Sequence, residues 1–440
     1  MGNSLIFYLA IYIILIFTIS YFSSRRQDQE DFLIAGRNRK GWQILLSKFA
    51  ASIGAGYFIT YTGFAYEYGS GVFAMMIGLV IGFLIFSYWA APKIFAGSKE
   101  NKFYTIGHFV LSKTKSKFSK NLADIVSSII LFSWLLVGII GSGKIISDFG
   151  LMSYNWAVII SSAVVLGYLL LAGYKAVITT DIIQSVVIFV LMIIITASIT
   201  KTSNFNLIDS SLNSTVDIAT AVGFFLFGTL SVFSYSDRYQ LSYASKSKRG
   251  LKNGLGFSII PVGLVAYMLF LIGVFMSSNL PGLDSGLVFV EALKNFLGPK
   301  ILPFAIVLFF AGIMSSADTN IYAISSHYAM MKESENHVKV VRKSIILLTV
   351  FVTILAIIFP DVVDVSIVAG VISMLLSWAM IYLIAGGTNN NRFVGSVVGA
   401  FVGCLLGLFV FGIEPTAAIF TIVFGALGLL YKGKRVVSVG

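Results

Sequence analysis

Residues 312–326 read GIMSSADTNIYAISS, and this stretch decides how the rest of the chain is read. It lies inside an apolar run, residues 301–331, yet carries Ser315, Ser316, Asp318, Thr319, Asn320, Tyr322, Ser325 and Ser326. At about 100° per residue, Ser315, Asp318, Thr319, Tyr322, Ser325 and Ser326 fall on one side of a helix, with Ser316 at the margin. The bland reading of such hydroxyls is a bond to the carbonyl four residues back. Hydroxyls beside a carboxylate at membrane depth are costly unless something occupies them, and a cation or a proton is the natural occupant.

The surrounding composition sets that depth. The chain has 440 residues, 57% of them hydrophobic and 11% charged, where about 25% charged is usual for soluble proteins. Apolar runs of about 18 residues or more, long enough for ~30 Å of hydrocarbon, recur from end to end. The runs are continuous rather than alternating, which excludes a β-barrel. The fold class is an all-α polytopic membrane protein. Thirteen helices are expected: 4–23, 42–66, 70–96, 121–146, 154–173, 176–200, 216–236, 254–277, 301–331, 341–359, 362–385, 393–412 and 415–431. A short amphipathic helix is expected in the loop 278–300. Residues 4–22 have no basic segment before them and no small-residue cleavage site after them, so they read as a retained helix.

A formal net charge of +12 invites a nucleic-acid partner, but the bilayer is the better one. With the N-terminus outside and the C-terminus cytoplasmic, only Lys144, Lys201, Lys294 and Lys300 of the 31 Lys+Arg fall on the outer side. No nucleic-acid role is expected, and multi-pass placement in the plasma membrane is. The single cysteine, Cys404, can form no intrachain disulfide, and the three histidines have no metal-ligand spacing. No HExxH or GxSxG is present, so the chain is not read as an enzyme and no cofactor is expected.

Two further anomalies interrupt the apolar pattern. Residues 50–63, AASIGAGYFITYTG, place Gly54, Gly56, Gly63 and Ser52 inside a helix, a poor helix interior that a membrane tolerates only beside a cavity or within protein. A weaker counterpart, Gly223, Gly228, Thr229, Ser231 and Ser234, lies five helices later. Interrupted helices in corresponding positions point to an inverted-repeat transporter with its site at the midplane. Residues 179–184, TTDIIQ, then bury Asp181 on a face with Thr180, Gln184 and Ser185.

These residues together resemble the sodium/solute symporters, which include the proline, galactose and sialic acid transporters. The blocks are DFLIAGRNRKGW (31–42), the glycine-rich helix 42–66, TDIIQ (180–184), SDRYQLSYASKSKRG (236–250) and MSSADT (314–319), in that order over nearly the whole chain. The resemblance implies a leucine-transporter-class fold. In it, residues 41–200 and 215–386 form the two five-helix inverted repeats, after a leading helix and loop (1–40) and before two trailing helices (392–432). It implies sodium-coupled uptake of a small organic solute by alternating access, within one transporter domain, 1–440.

By position, the main sodium site would take carbonyls of Ala50, Ile53 and Gly312 and hydroxyls of Ser315 and Ser316. A second ion site would take Asp181, Asp318 and Thr319 together with Ser315. Asp318 stands where the family commonly has a serine or small residue, and two nearby carboxylates would share a cation or hold a proton between them. Proton coupling is therefore an alternative, as is a transporter-like sensor working through a separate partner. The helices 70–96 and 254–277 lack charge, which disfavours a sugar. A small or largely apolar solute is expected, lined by Ser52, Tyr57, Phe58, Trp134, Phe225 and Phe233.

Overall fold

The computed structural model describes residues 2–25, 28–202, 216–332 and 336–432. Residue 215, the expected start of the second repeat, and Arg26 of the first charged loop lie outside them. Among the described residues there are only helices and one isolated bridge, Arg39 to Ser245. In chain order the helices are α1 (Gly2–Ser24), α2 (Gln29–Ile34), α3 (Gly41–Ser52), α4 (Ala55–Tyr68), α5 (Val72–Ile85), α6 (Ala91–Asn101), α7 (Ile106–Thr114), α8 (Lys117–Asp148) and α9 (Tyr154–Thr202). There follow α10 (Ile218–Leu230), α11 (Ser236–Ala244), α12 (Lys248–Asn279), α13 (Val288–Phe296), α14 (Leu302–Met331), α15 (His337–Ile358), α16 (Val362–Ile372), α17 (Ser377–Ile384), α18 (Asn390–Phe411) and α19 (Ala417–Gly428).

Among the described residues, ten stretches are long and apolar enough to cross a membrane. One of them, Gly56–Asn101, contains the bend at Gly69–Gly71. Two shorter apolar helices, Phe7–Ser23 and Ala417–Gly428, complete the set. Burial is inverted relative to a soluble protein. Side chains such as Ile81, Leu84, Leu347, Val350, Phe401, Leu405 and Phe409 lie exposed around the outside, where lipid is their proper solvent. Lys48, Asp124, Asp181, Asp237, Arg238 and Asp318 are buried in the middle.

The breaks are what organise that interior. The first expected core helix divides at Ile53 (φ −99°, ψ 73°) and Gly54 (φ −94°, ψ −179°), which separate α3 from α4. The counterpart at residues 231–235 is a 3-10 turn, Ser231–Phe233, before α11. Residues 373–376 make a third interruption, between α16 and α17, that no sequence signal had announced. The α9 helix turns back at Gly173, whose φ of +55° is the left-handed conformation and whose absent side chain leaves room for the ring of Phe32.

The structure departs from expectation most in the stretch after the second break. The Lys- and Arg-rich residues 237–252 fall between the expected helices 216–236 and 254–277, yet all of α11 is buried, and the exposed basic residues begin only at Lys246. Aromatic packing explains the burial: Tyr239 lies against Phe86 and Phe109, and Tyr243 against Phe103. The loop 278–300 does carry its short helix, α13, whose apolar face meets α4 through Phe289 and Phe58.

Candidate functional site

The α3–α4 break is pressed against the middle of α14. A β-carbon on Gly54 would lie 2.0 Å from Ser316 Oγ, and one on Gly312 would lie 2.7 Å from the Ile53 carbonyl oxygen. Only glycine at both positions permits this approach. Two carbonyls, those of Ile53 and Gly312, therefore meet here, with that of Ala50 one turn back along α3. Ala50 O already accepts the Ile53 amide at 3.0 Å, Ile53 O abuts Gly312, and Gly312 O accepts the Ser316 hydroxyl at 3.1 Å. Unwound backbone exposes carbonyls that a continuous helix would use internally, and hard cations take such oxygens.

Ser315 points elsewhere. Its hydroxyl donates to Asp181 Oδ1 at 2.6 Å, while Ser47 of α3 donates to Asp181 Oδ2 at 2.6 Å. Asp181 is thus buried between a hydroxyl of α3 and one of α14. Asp318 is held by a different set. It accepts the hydroxyl of Tyr168, from the first arm of α9, at 2.8 Å, and Thr319 Oγ1 lies 3.4 Å from its other oxygen. Tyr168 and Ser47 were not nominated from the sequence. Tyr168 sits in a plain apolar run, whereas Ser47, one turn before Ala51 in a glycine- and serine-rich helix, carried a readable signal.

Beside the break lies a cavity of about 140 Å³. Ser52, Gly54, Tyr57, Trp134, Ser316, Thr319 and Asn320 line it, so Thr319 faces the cavity while its neighbour Asp318 turns towards α9. Of the six residues expected to contact solute, Ser52, Tyr57 and Trp134 line this space and three do not. Phe58 is fully buried against Phe289 and Phe309. Phe233 packs between Phe86 and Trp89, at a π-helical turn of residues 86–90. Phe225 is absent from the lining, and the chain presents Phe227 there instead. An aromatic residue in a wholly apolar helix gives no clue to its facing, which is why these three went astray.

The cavity floor is charged. Lys48 Nζ donates to Asp237 Oδ2 at 2.5 Å, and Arg238 stands over the rings of Phe83 and Tyr235 at 4.8 and 4.7 Å. Sequence reasoning missed all three, because charges near the ends of apolar runs look like topology determinants. Trp134 Nε1 and the Tyr235 hydroxyl both reach Ser373 Oγ, at 2.8 and 3.0 Å, in the third interruption. Above Trp134 and Phe227 a second, apolar recess is lined by Phe64, Phe224, Ser366 and Pro415.

A lipid-facing shell around an internal cavity of mixed polar and aromatic lining, with helix breaks converging on it, is the build of a membrane transporter of the broken-helix class. Comparison with known proteins narrows the class. A model of the sodium:solute symporter family matches residues 32–269, more than half of the chain. Among curated relatives, the sodium/pantothenate symporter of Haemophilus influenzae is 24% identical over 347 residues, covering 74% of this chain and 71% of that protein. A Staphylococcus aureus sodium/proline symporter is 23% identical, covering 72% of this chain and 66% of its own length, so the chain spans just under two thirds of that relative. Among solved structures, a Na+-coupled sialic acid symporter in a substrate-bound outward-open state superposes with a TM-score of 0.77 at 17% identity, over 98% of this chain and 97% of that one. Mhp1, a nucleobase-cation-symport-1 family transporter in a closed conformation with bromovinylhydantoin bound, gives 0.60 at 11% identity, over 91% and 94%.

The chain belongs to the sodium:solute symporter family. Its class of activity is sodium-coupled solute symport, and its fold is that of the leucine-transporter class.

Proposed function

We propose that this protein imports a small organic solute with sodium, by alternating access, across the plasma membrane. The observation that carries the proposal is the contact between the Ile53–Gly54 break and residues 312–316, which brings the Ile53 and Gly312 carbonyls and the Ser316 hydroxyl together. In this reading sodium binds Ala50, Ile53, Gly312 and Ser316, with Ser315 turning between this site and Asp181. The cavity beside it takes the solute. At about 140 Å³ it is well below the ~300 Å³ at which drug-sized pockets begin, so the solute is small. Thirteen crossings are proposed, counting Gly56–Asn101 as two and adding both shorter helices. The N-terminus is then outside, the C-terminus cytoplasmic, and 41–200 and 215–386 are the inverted repeats.

Sodium drives transport only through its different affinities for the outward- and inward-facing arrangements. Removing an oxygen from its site should therefore change sodium dependence before it changes anything else. In proteoliposomes, Ser316→Ala should shift half-maximal sodium activation of uptake several-fold upward. An unchanged activation curve would remove Ser316 from the site.

A second reading is favoured by one observation, the two buried carboxylates Asp181 and Asp318 held by hydroxyls. Such a pair suits a second coupling ion, either sodium or a proton. Uptake driven by a pH gradient in sodium-free vesicles would support the proton. Its absence, with a sodium activation curve steeper than first order, would support a second sodium. The sensor reading has no observation in its favour.

A further inference from the structure

Among the described residues, most of the buried side-chain atoms without a partner are hydroxyls and amides, and the cavity floor adds a charged group to them. Arg238 is 6% exposed, and its Nε and Nη1 have no hydrogen-bond partner. Its nearest anion is Asp237, whose Oδ1 lies 3.8 Å from Nη1, too far for a hydrogen bond. Lys48 occupies the other oxygen of Asp237. Asp181 and Asp318 do not line the cavity and are turned towards Ser47, Ser315 and Tyr168. The groups that line the cavity are thus two cations and one anion, all from this floor.

A guanidinium withdrawn from water with two of its three nitrogens left without hydrogen bonds is a costly group to bury. Stacking on Phe83 and Tyr235 offsets part of that cost by a cation–π attraction. The same stacking restrains the fork while leaving its Nε and Nη1 donors unused, in a group that borders the cavity. A planar fork held in this way matches a carboxylate, which can accept two parallel hydrogen bonds from it. The walls above are apolar and aromatic: Tyr57, Tyr61, Leu79, Trp134, Phe227 and Val262.

We propose that the cavity floor is a carboxylate subsite in which Arg238 receives the acid group of a small monocarboxylate, whose body lies against the aromatic walls. Asp237 beside the fork repels a second anionic group, which limits the solute to one. Lys48 acts through Asp237: by holding its Oδ2, it keeps that carboxylate from turning onto the guanidinium and closing the subsite. The proposal deepens the symporter reading and rests on it, since the cavity is the one assigned there to the solute.

The test uses the purified full chain and matched pairs of probes: propionate with propionamide, pantothenate with pantothenol, and benzoate with benzamide. Thermal stabilisation is measured for each in sodium and with sodium replaced by choline. At least one carboxylate should stabilise the wild type in sodium, with its neutral counterpart binding about tenfold or more weakly, the scale of a charge-assisted bond. Arg238→Gln should erase that preference while sodium alone still stabilises the variant. Arg238→Lys, which keeps the charge and loses the fork, should retain a fraction of it. Equal binding of acid and neutral counterpart, stabilisation by neutral members only, or no response to any carboxylate would overturn the subsite. So would full carboxylate affinity in Arg238→Gln. If Arg238→Gln does not fold, the wild-type pairs and Arg238→Lys decide. Stabilisation by a neutral solute that still requires sodium would sink the subsite and leave the symporter reading standing. A carboxylate preference equal in sodium and choline would do the reverse.

Discussion

Asp181 and Asp318 are both fully buried carboxylates, one on α9 and one on α14, yet they are tied into the molecule differently. Asp181 accepts one hydroxyl from α3 and one from α14, so it joins the broken helix to the rest of the bundle. Asp318 accepts Tyr168 from the first arm of α9 and the hydroxyl beside it in sequence, so it joins two segments that are each continuous helix. The difference teaches where each can act. A carboxylate shared across the break feels any motion of α3, whereas one held between continuous helices feels little of it. Asp181 is placed to report conformational change, and Asp318 to hold the frame.

The strongest way to break this contrast is to neutralise each acid in turn. Asp181→Asn should cut sodium-driven uptake by an order of magnitude or more while the protein remains folded, measured in proteoliposomes beside a melting curve. If Asp318→Asn does the same and Asp181→Asn does not, the roles are reversed. Next come the partners. Tyr168→Phe removes a hydrogen bond to a buried carboxyl group and should lower stability by ~1–3 kcal/mol, the cost of leaving a buried polar group short of a partner, with sodium activation little changed. Ser47→Ala also removes a bond to a carboxylate, but its main effect should be a several-fold shift in sodium activation, because the lost bond crosses the break. A melting temperature lowered as much by Ser47→Ala as by Tyr168→Phe would erase the distinction.

A smaller effect is expected away from both acids. Lys294 bonds Asp148 at 2.5 Å and Glu291 at 3.1 Å beside α13, with its side chain 29% exposed. Lys294→Met should cost under ~1 kcal/mol, the usual range for a pair open to water, and leave sodium activation unchanged. A change in the activation curve would mean that α13 takes part in the motion assigned to α3.

How much of this was legible beforehand depended on whether a residue broke its local pattern. Gly54 and Gly56 spoil a helix, and the chain does break there. Ser315, Ser316 and Asp318 interrupt an apolar run, and all three lie at the polar centre. Asp181 was visible for the same reason. Tyr168 was not, because a tyrosine in an apolar helix is unremarkable until its hydroxyl finds a partner. Lys48, Asp237 and Arg238 were hidden by a competing explanation, since basic residues near helix ends normally mark the cytoplasmic side. The clue available was the gap between Arg238 and the basic cluster that begins at Lys246, a stretch rich in tyrosine that an exposed loop would not need. Phe58 and Phe233 show the limit of composition: the residue type was right for a cavity wall, and the facing was decided by neighbours far away in sequence.

The stacked pair Trp134 and Phe227 borders both the main cavity and the recess above it, with ring centroids 6.3 Å apart. On that side the partition is one side chain thick. On the other side the floor itself, with its Lys48–Asp237 pair, is backed by the aromatic layer of Tyr239, Tyr243, Phe103 and Phe109 and the backbone bonds between Arg39 and residues 244–246. Two such doors run on different clocks. The thin one can open by rotamer changes, which take nanoseconds where there is room to turn, while the thick one needs helices to move, on the scale of microseconds to milliseconds. A solute trapped between them would sample escape many times by the way it came before the far side opens once. Turnover would then be limited by the slow door, and the fast one would set how closely the cavity stays in equilibrium with its own side of the membrane.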